Sequence, residues 1–244
     1  MSRPLVLLHG LTYDKRHWDP VLGEIAKIDP GRTALALDLP GHGDALRRDS
    51  YGITDVAGVL HDQVVAAGID GPVVLAGHSI GAVVATRYAA LYPAAGVLNV
   101  DQVLLPGRFF ATLRAAEPTL RSPQWRQVWN QMLAGMALDT LPPDARSIVD
   151  TATDPRPDLL LGYWDEVLHG DDAAIRAERT ADLRTLATNG TEYEWVTAKE
   201  PPAPYVQWLT AALPQVKITV IPGSHFPHLA GPARIARILT DDLS

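Results

Sequence analysis

The sequence predicts an α/β fold: a mostly parallel sheet of about six strands flanked by helices, with a helical cap inserted into it. Three observations carry this prediction. Short apolar runs alternate with helix-like segments, which implies parallel strands joined by crossover helices. Nearly every polar residue of chemical interest follows directly on one of those runs, where sheets of this type bind ligands. One long stretch, 103–188, holds helix-like pieces and no convincing strand.

The strand-like runs are 4–8 (PLVLL), 33–38 (TALALD), 72–76 (PVVLA), 96–100 (GVLNV), 193–197 (YEWVT) and 216–221 (VKITVI). Several are unbroken apolar segments, as expected of strands covered on both faces. Helices are predicted near 17–28, 54–67, 79–91, 204–213 and 230–240. Within 103–188, pieces near 107–117, 123–137, 143–152, 157–168 and 172–187 are separated by prolines. The expected division is a core formed by 1–102 and 189–244, with 103–188 as a lid over the strand ends.

Composition narrows the classes of function. The 244 residues suffice for one large domain or a core with an insertion. A formal net charge of -7 argues against a nucleic-acid partner, whose phosphates call for a basic surface. The absence of cysteine excludes disulfides, thiolate chemistry and cysteine-held metals. No H-E-x-x-H motif or histidine pair at ligand spacing occurs, so neither metal nor cofactor is expected. The apolar run before His9 is too short for a signal peptide or membrane span, which leads to an expectation of a cytoplasmic protein without a membrane partner. The sequence leaves oligomeric state open.

Gly77-His78-Ser79-Ile80-Gly81 fits G-x-S-x-G between a strand-like and a helix-like segment. The chemistry requires a sharp turn that lifts a serine hydroxyl above the sheet, and glycines two residues to either side let strand and helix approach. A serine nucleophile needs a base. His225 follows the last strand and lies downstream of Ser79; His228, at the start of the final helix, is the second candidate. The backbone N–H groups of Leu11 and Ile80 are the expected oxyanion donors. His9 is read as a structural residue that pins its loop.

These features resemble the α/β-hydrolase superfamily. The resemblance rests on His9-Gly10 with Trp18 downstream, Asp38-Leu39-Pro40-Gly41-His42-Gly43, Gly77-His78-Ser79-Ile80-Gly81, and Gly223-Ser224-His225-Phe226-Pro227-His228. It implies a Ser-His-acid triad, hydrolysis of an ester, lactone or similar acyl bond, and a cap after the family's sixth strand. The chain begins at what would be the family's third strand, which predicts a compact sheet of six parallel strands.

The acid is the irregular member. The common Gly-x-x-Asp after the family's seventh strand is replaced by Thr197-Ala198-Lys199-Glu200-Pro201-Pro202-Ala203-Pro204. Glu200 is preferred, because Pro204 four residues on resembles the family's Asp-x-x-x-Pro spacing. Asp101, after the family's sixth strand, is the alternative.

In the lid, Trp125, Val128, Trp129, Met132 and Met136 form one helical stripe, and Leu160, Tyr163, Trp164, Val167 and Leu168 a second. Most of these residues should pack the lid. Trp125, Trp129, Met132, Tyr163 and Trp164 are the candidate pocket wall, joined by Phe109 and Phe110, and suit an apolar acyl substrate. The expected activity is therefore an ester or lactone hydrolase acting on a small to medium hydrophobic substrate through an acyl-enzyme. Other reactions on the scaffold, such as carbon–carbon bond hydrolysis or lysis, and a non-catalytic binding protein are the alternatives. Haloalkane dehalogenases and epoxide hydrolases of this fold attack with aspartate, and Ser79 excludes their alkyl-ester intermediate.

Overall fold

The computed structural model describes residues 2–241 and 243. Its strands are β1 (Leu5–Leu8), β2 (Ala34–Leu37), β3 (Val73–His78), β4 (Ala94–Val100), β5 (Glu192–Thr197) and β6 (Lys217–Val220). All pair in parallel, in the order β2-β1-β3-β4-β5-β6. Chain order reverses beside β1, the kind of position where open α/β sheets leave a crevice for ligands. Leu8 pairs with Leu37 on one side and Gly77 on the other, so the strand ends that carry His9, Asp38 and His78 lie together.

Twelve α-helices surround the sheet among the described residues. The first three are α1 (Asp19–Ile28), α2 (Ile53–Ala66) and α3 (Ile80–Leu91). Between β4 and β5 come α4 (Arg108–Leu120), α5 (Trp125–Ala134), α6 (Pro143–Thr151), α7 (Pro157–Tyr163), α8 (Asp165–His169) and α9 (Asp172–Asn189). The last are α10 (Ala203–Ala212), α11 (Pro227–Ala230) and α12 (Pro232–Thr240). None is long and apolar enough to cross a membrane.

The two-residue period of the strands explains the layering. Leu5, Leu7, Val74, Ala76, Leu98 and Val100 enter a core beneath α1 and α12. Val6, Leu8, Val73, Leu75 and Val97 enter the larger core beneath α2 and α3, which runs on into the insertion. Burial of each of the leucine and valine side chains contributes about 1.5–3 kcal/mol before chain entropy is counted.

Several elements depart from their predicted bounds for local reasons. The segment near 157–168 is two helices that meet at Trp164. The final segment is split between α11 and α12 by Gly231-Pro232, since proline cannot continue the preceding hydrogen-bond ladder. Pro118 remains inside α4. Helix α9, grouped with the lid on sequence, packs against α3 and α10 in the layer beside the sheet. The insertion is also tied to the core at a second place: Tyr13 forms a bridge with Thr153, and Asp154 N–H donates to Thr12 O.

Candidate active site

The site is built on backbone that only unusual residues tolerate. Ser79 joins β3 to α3 with φ 52° and ψ -125°, a strained conformation for a non-glycine residue that costs on the order of 1–3 kcal/mol. The turn has no room for side chains at its flanks. A Cβ on Gly77 would come within 2.2 Å of Gly81 O, and one on Gly81 within 2.5 Å of His9 O. Ser79 N–H continues the sheet ladder by donating to Val100 O at 3.0 Å. Its side chain stands at the N-terminus of α3, where the helix dipole favours negative charge.

Asp101 occupies the equivalent place at the tip of β4, next to β3, also with positive φ (56°). Its N–H donates to Val196 O, and its Oδ1 accepts from Ala198 N–H at 2.6 Å. Its Oδ2 accepts from His225 Nδ1 at 2.7 Å. With Nδ1 engaged, His225 presents Nε2 as its basic nitrogen. The carboxylate at His225 is therefore Asp101, not the preferred Glu200. Glu200 is exposed, three residues past the end of β5 in the turn before α10. Asp101 follows its strand without a gap, which holds its carboxylate close to the sheet edge.

The backbone of His225 is clamped from two sides. Its N–H donates to Met136 O at 3.1 Å, and its carbonyl accepts from His78 Nε2 at 2.9 Å. Ser224 Oγ donates to the same Met136 carbonyl. His78 is fully buried, and burial holds its pKa well below the usual range, so it is neutral with the proton on Nε2. Adjacent to Ser79 in sequence, His78 faces the backbone of the base and not the nucleophile. His228 is likewise buried and neutral, its ring tilted against those of Trp18 and His78 at 4.7 and 4.5 Å between centroids. His9 spans two loops: its Nε2 accepts from Leu39 N–H, and its Nδ1 donates to Gly10 O.

Ser79, His225, Leu11 and Ile80 line one cavity. A Cβ on Gly10 would lie 3.4 Å from Ser79 Cβ, so the loop that ends in Leu11 runs directly against the serine. Among the described residues, neither Leu11 N–H nor Ile80 N–H donates a hydrogen bond within the protein. Both are thus available as donors for an oxygen held between them.

Of the candidate wall residues, Trp129, Met132, Tyr163 and Trp164 line this cavity, together with Phe109, Phe110 and Met136. Trp125 does not. It packs partly buried against the core, with the Arg126 guanidinium 4.6 Å from its ring centre. Lining residues outside the sequence-derived set include Tyr13, Ile53, Gln102, Glu166 and Arg179. One of them had a signal: Glu166 directly precedes Val167 of the second apolar stripe. No local pattern marks Arg179 or Ile53.

The model of the Alpha/beta hydrolase family matches residues 5–238. The chain belongs to this family. It is 34% identical over 113 residues to the biotin biosynthesis bifunctional protein BioHC of Cellvibrio japonicus, a match covering 46% of this chain and 21% of the relative. It is 37% identical over 90 residues to the 2-succinyl-6-hydroxy-2,4-cyclohexadiene-1-carboxylate synthase of Enterobacter sp. strain 638, covering 37% of this chain and 33% of the relative. These matches span well under half the length of the curated relatives. Among solved structures, AqDC, described for recognition and ring-cleavage of the Pseudomonas quinolone signal, superposes with a TM-score of 0.77. It is 20% identical, and the superposition covers 100% of this chain and 92% of that one. At that identity the likeness concerns the fold.

Proposed function

We propose that this protein is a serine hydrolase that cleaves an ester or lactone bond of a small to medium apolar substrate through an acyl-enzyme. The observation that carries the reading is the Asp101–His225 hydrogen bond, formed beside a cavity that also holds Ser79 on its strained turn. Ser79 Oγ attacks the substrate carbonyl while His225 Nε2 accepts its proton. Asp101 holds the ring and stabilises the imidazolium. The oxyanion is received by the N–H groups of Leu11 and Ile80. Collapse of the intermediate expels the alcohol, which takes the proton from His225. A water, deprotonated by His225, then releases the acid and frees Ser79. No cofactor enters this sequence. The aromatic and methionine wall supports an apolar acyl group.

The test is release of p-nitrophenol from esters of graded chain length, with opening of a lactone series, in the native protein and in Ser79→Ala. Labelling of Ser79 by a fluorophosphonate is the direct readout of an activated serine. Absence of Ser79-dependent turnover of every ester and lactone would overturn the proposal. The Enterobacter relative is a synthase and not a hydrolase, which supports a second reading in which Ser79 forms no acyl-enzyme. Intact-mass measurement during turnover separates the two by the presence or absence of an acyl adduct.

A further inference from the structure

The cavity wall is apolar except at a few places, and most of those are already spoken for. Tyr163 Oη donates to Pro40 O, Tyr13 Oη points to Met136 Sδ, and Gln102 donates from its N–H to Asn99 Oδ1 and from its Nε2 to Val103 O. Beyond His225, the charged lining residues are Glu166 on α8 and Arg179 on α9. Arg179 is 4% exposed. Its Nη2 reaches both carboxylate oxygens of Glu166 at 2.7 Å. A guanidinium has five N–H donors, and among the described residues Arg179 makes hydrogen bonds through Nη2 alone. Glu178 is an ion-pair neighbour of Nη1 at 3.6 Å, too long for a hydrogen bond.

The pair joins a buried guanidinium to a half-buried carboxylate whose side chain is 29% exposed, and an apolar pair of similar volume often stabilises a helix contact as well or better. In the wall of an apolar cavity, however, it offers unused donor and acceptor capacity side by side. We infer that Glu166 and Arg179 form a polar subsite that selects substrates whose apolar body ends in a neutral amide-type group, with the amide N–H donating to Glu166 and its carbonyl accepting from Arg179. The inference rests on the hydrolase reading for its turnover assay, though not for its binding assay.

The charge around the pair favours a neutral group over a carboxylate. Arg179 lies next to Glu166 and Glu178, and Arg87 pairs with Glu178 and Asp182. Three carboxylates face two guanidiniums, and an anionic substrate would add a fourth negative charge. A plain alkyl end would leave the donors and acceptors of the subsite without partners after water is displaced. A cation would have to shed its hydration shell in a mostly apolar cavity while competing with Arg179 for Glu166.

The experiment compares p-nitrophenyl esters of ω-carbamoyl alkanoic acids of graded chain length with those of their branched-alkyl isosteres and of the matching dicarboxylic acids, which differ only at the far end. The amide ester is expected to exceed both others in kcat/KM by about tenfold, far below the discrimination that a fully enclosed hydrogen-bonding site reaches. Glu166→Leu should collapse that preference to within about twofold, whereas Glu166→Gln, which keeps an acceptor, should retain part of it. Arg179→Met is the complementary variant, with circular dichroism as its fold check and Glu166→Gln as the substitute if it does not fold. Equal rates for amide and isostere, faster turnover of the carboxylate, or a preference unchanged in Glu166→Leu would overturn the subsite. If no ester is turned over, the hydrolase reading fails and binding decides the inference alone. Calorimetry on Ser79→Ala should then show heptanamide binding at least about tenfold tighter than its alkyl isostere, weakened in the Glu166→Leu background. Equal affinities there would overturn it.

Discussion

The carboxyl edge of the sheet and the helical insertion line the same cavity, but they are built differently. The edge is fixed by backbone: two positive-φ residues at neighbouring strand tips, two glycines pressed against carbonyls, and ladder bonds that run past the strands. The insertion is fixed by side chains: apolar stripes, aromatic contacts, and ion pairs such as Arg114–Asp172 and Arg179–Glu166. Backbone geometry tolerates almost no substitution, whereas side-chain packing tolerates many swaps of similar volume. The edge is therefore suited to chemistry and the insertion to the choice of substrate.

The strongest way to break this comparison is at the edge. Ser79→Ala should lower turnover by about 10⁴-fold or more while leaving the fold intact, as read by circular dichroism and initial rates. A smaller loss would remove Ser79 from the chemistry. Next in size, Asp101→Ala should cost about 10³- to 10⁴-fold in kcat, and Glu200→Ala should stay within about twofold. The opposite ranking would return the acid to the exposed turn before α10.

Acid stability sharpens the contrast further. His9, His17, His42, His78 and His228 are all buried around the edge, and burial lowers the pKa of each, to about 3 for His17 and His42. The unfolded chain titrates these groups near pH ~6.5, so below that value it binds more protons than the folded protein. Their contribution is complete above about pH 6.5 and is lost as pH falls toward their folded pKa values, at up to roughly 1.4 kcal/mol per pH unit for each histidine. The insertion carries only His169, which is exposed and raised by hydrogen bonds to Asp165 and Glu117. Its small effect has the opposite sign, present at low pH and lost as pH rises through its folded pKa. Thermal melts from pH 8 to pH 4 should therefore show a steep fall in Tm beginning near pH 6. A flat profile would contradict the neutral buried cluster. The smallest effect belongs to the wall: Trp129→Ala should raise KM for long-chain esters by about tenfold, and Trp125→Ala by less than about twofold. Equal effects of the two would mean that the cavity boundary is misplaced.

The edge was largely legible in the sequence because its demands are local. A serine between two glycines after an apolar run, and a histidine after the last such run, each report a turn with a required residue type. The choice between Asp101 and Glu200 was not legible, because it depends on which strand lies beside β3 and on how far a loop extends past its strand. Asp101 did carry a usable mark: it follows Val100 at once, whereas Glu200 stands three residues beyond Thr197. In the insertion, periodicity located the helices and most of the wall. It could not tell which side of the α5 stripe faces the cavity, so Trp125 and Trp129 were grouped together. Arg179 was hidden for a related reason. Its helix packs as part of the layer beside the sheet, and only the three-dimensional arrangement places one of its residues on the cavity wall.

The hydrogen bond from His78 to the His225 carbonyl joins positions 147 residues apart. During synthesis the serine turn emerges when about a third of the chain exists, and the base arrives only after β6. A chain truncated before β6 would carry the nucleophile without its base. On the proposed mechanism, activity would report that folding has proceeded past β6, and a ribosome-bound intermediate or a fragment ending before β6 would be silent however well its own part had folded.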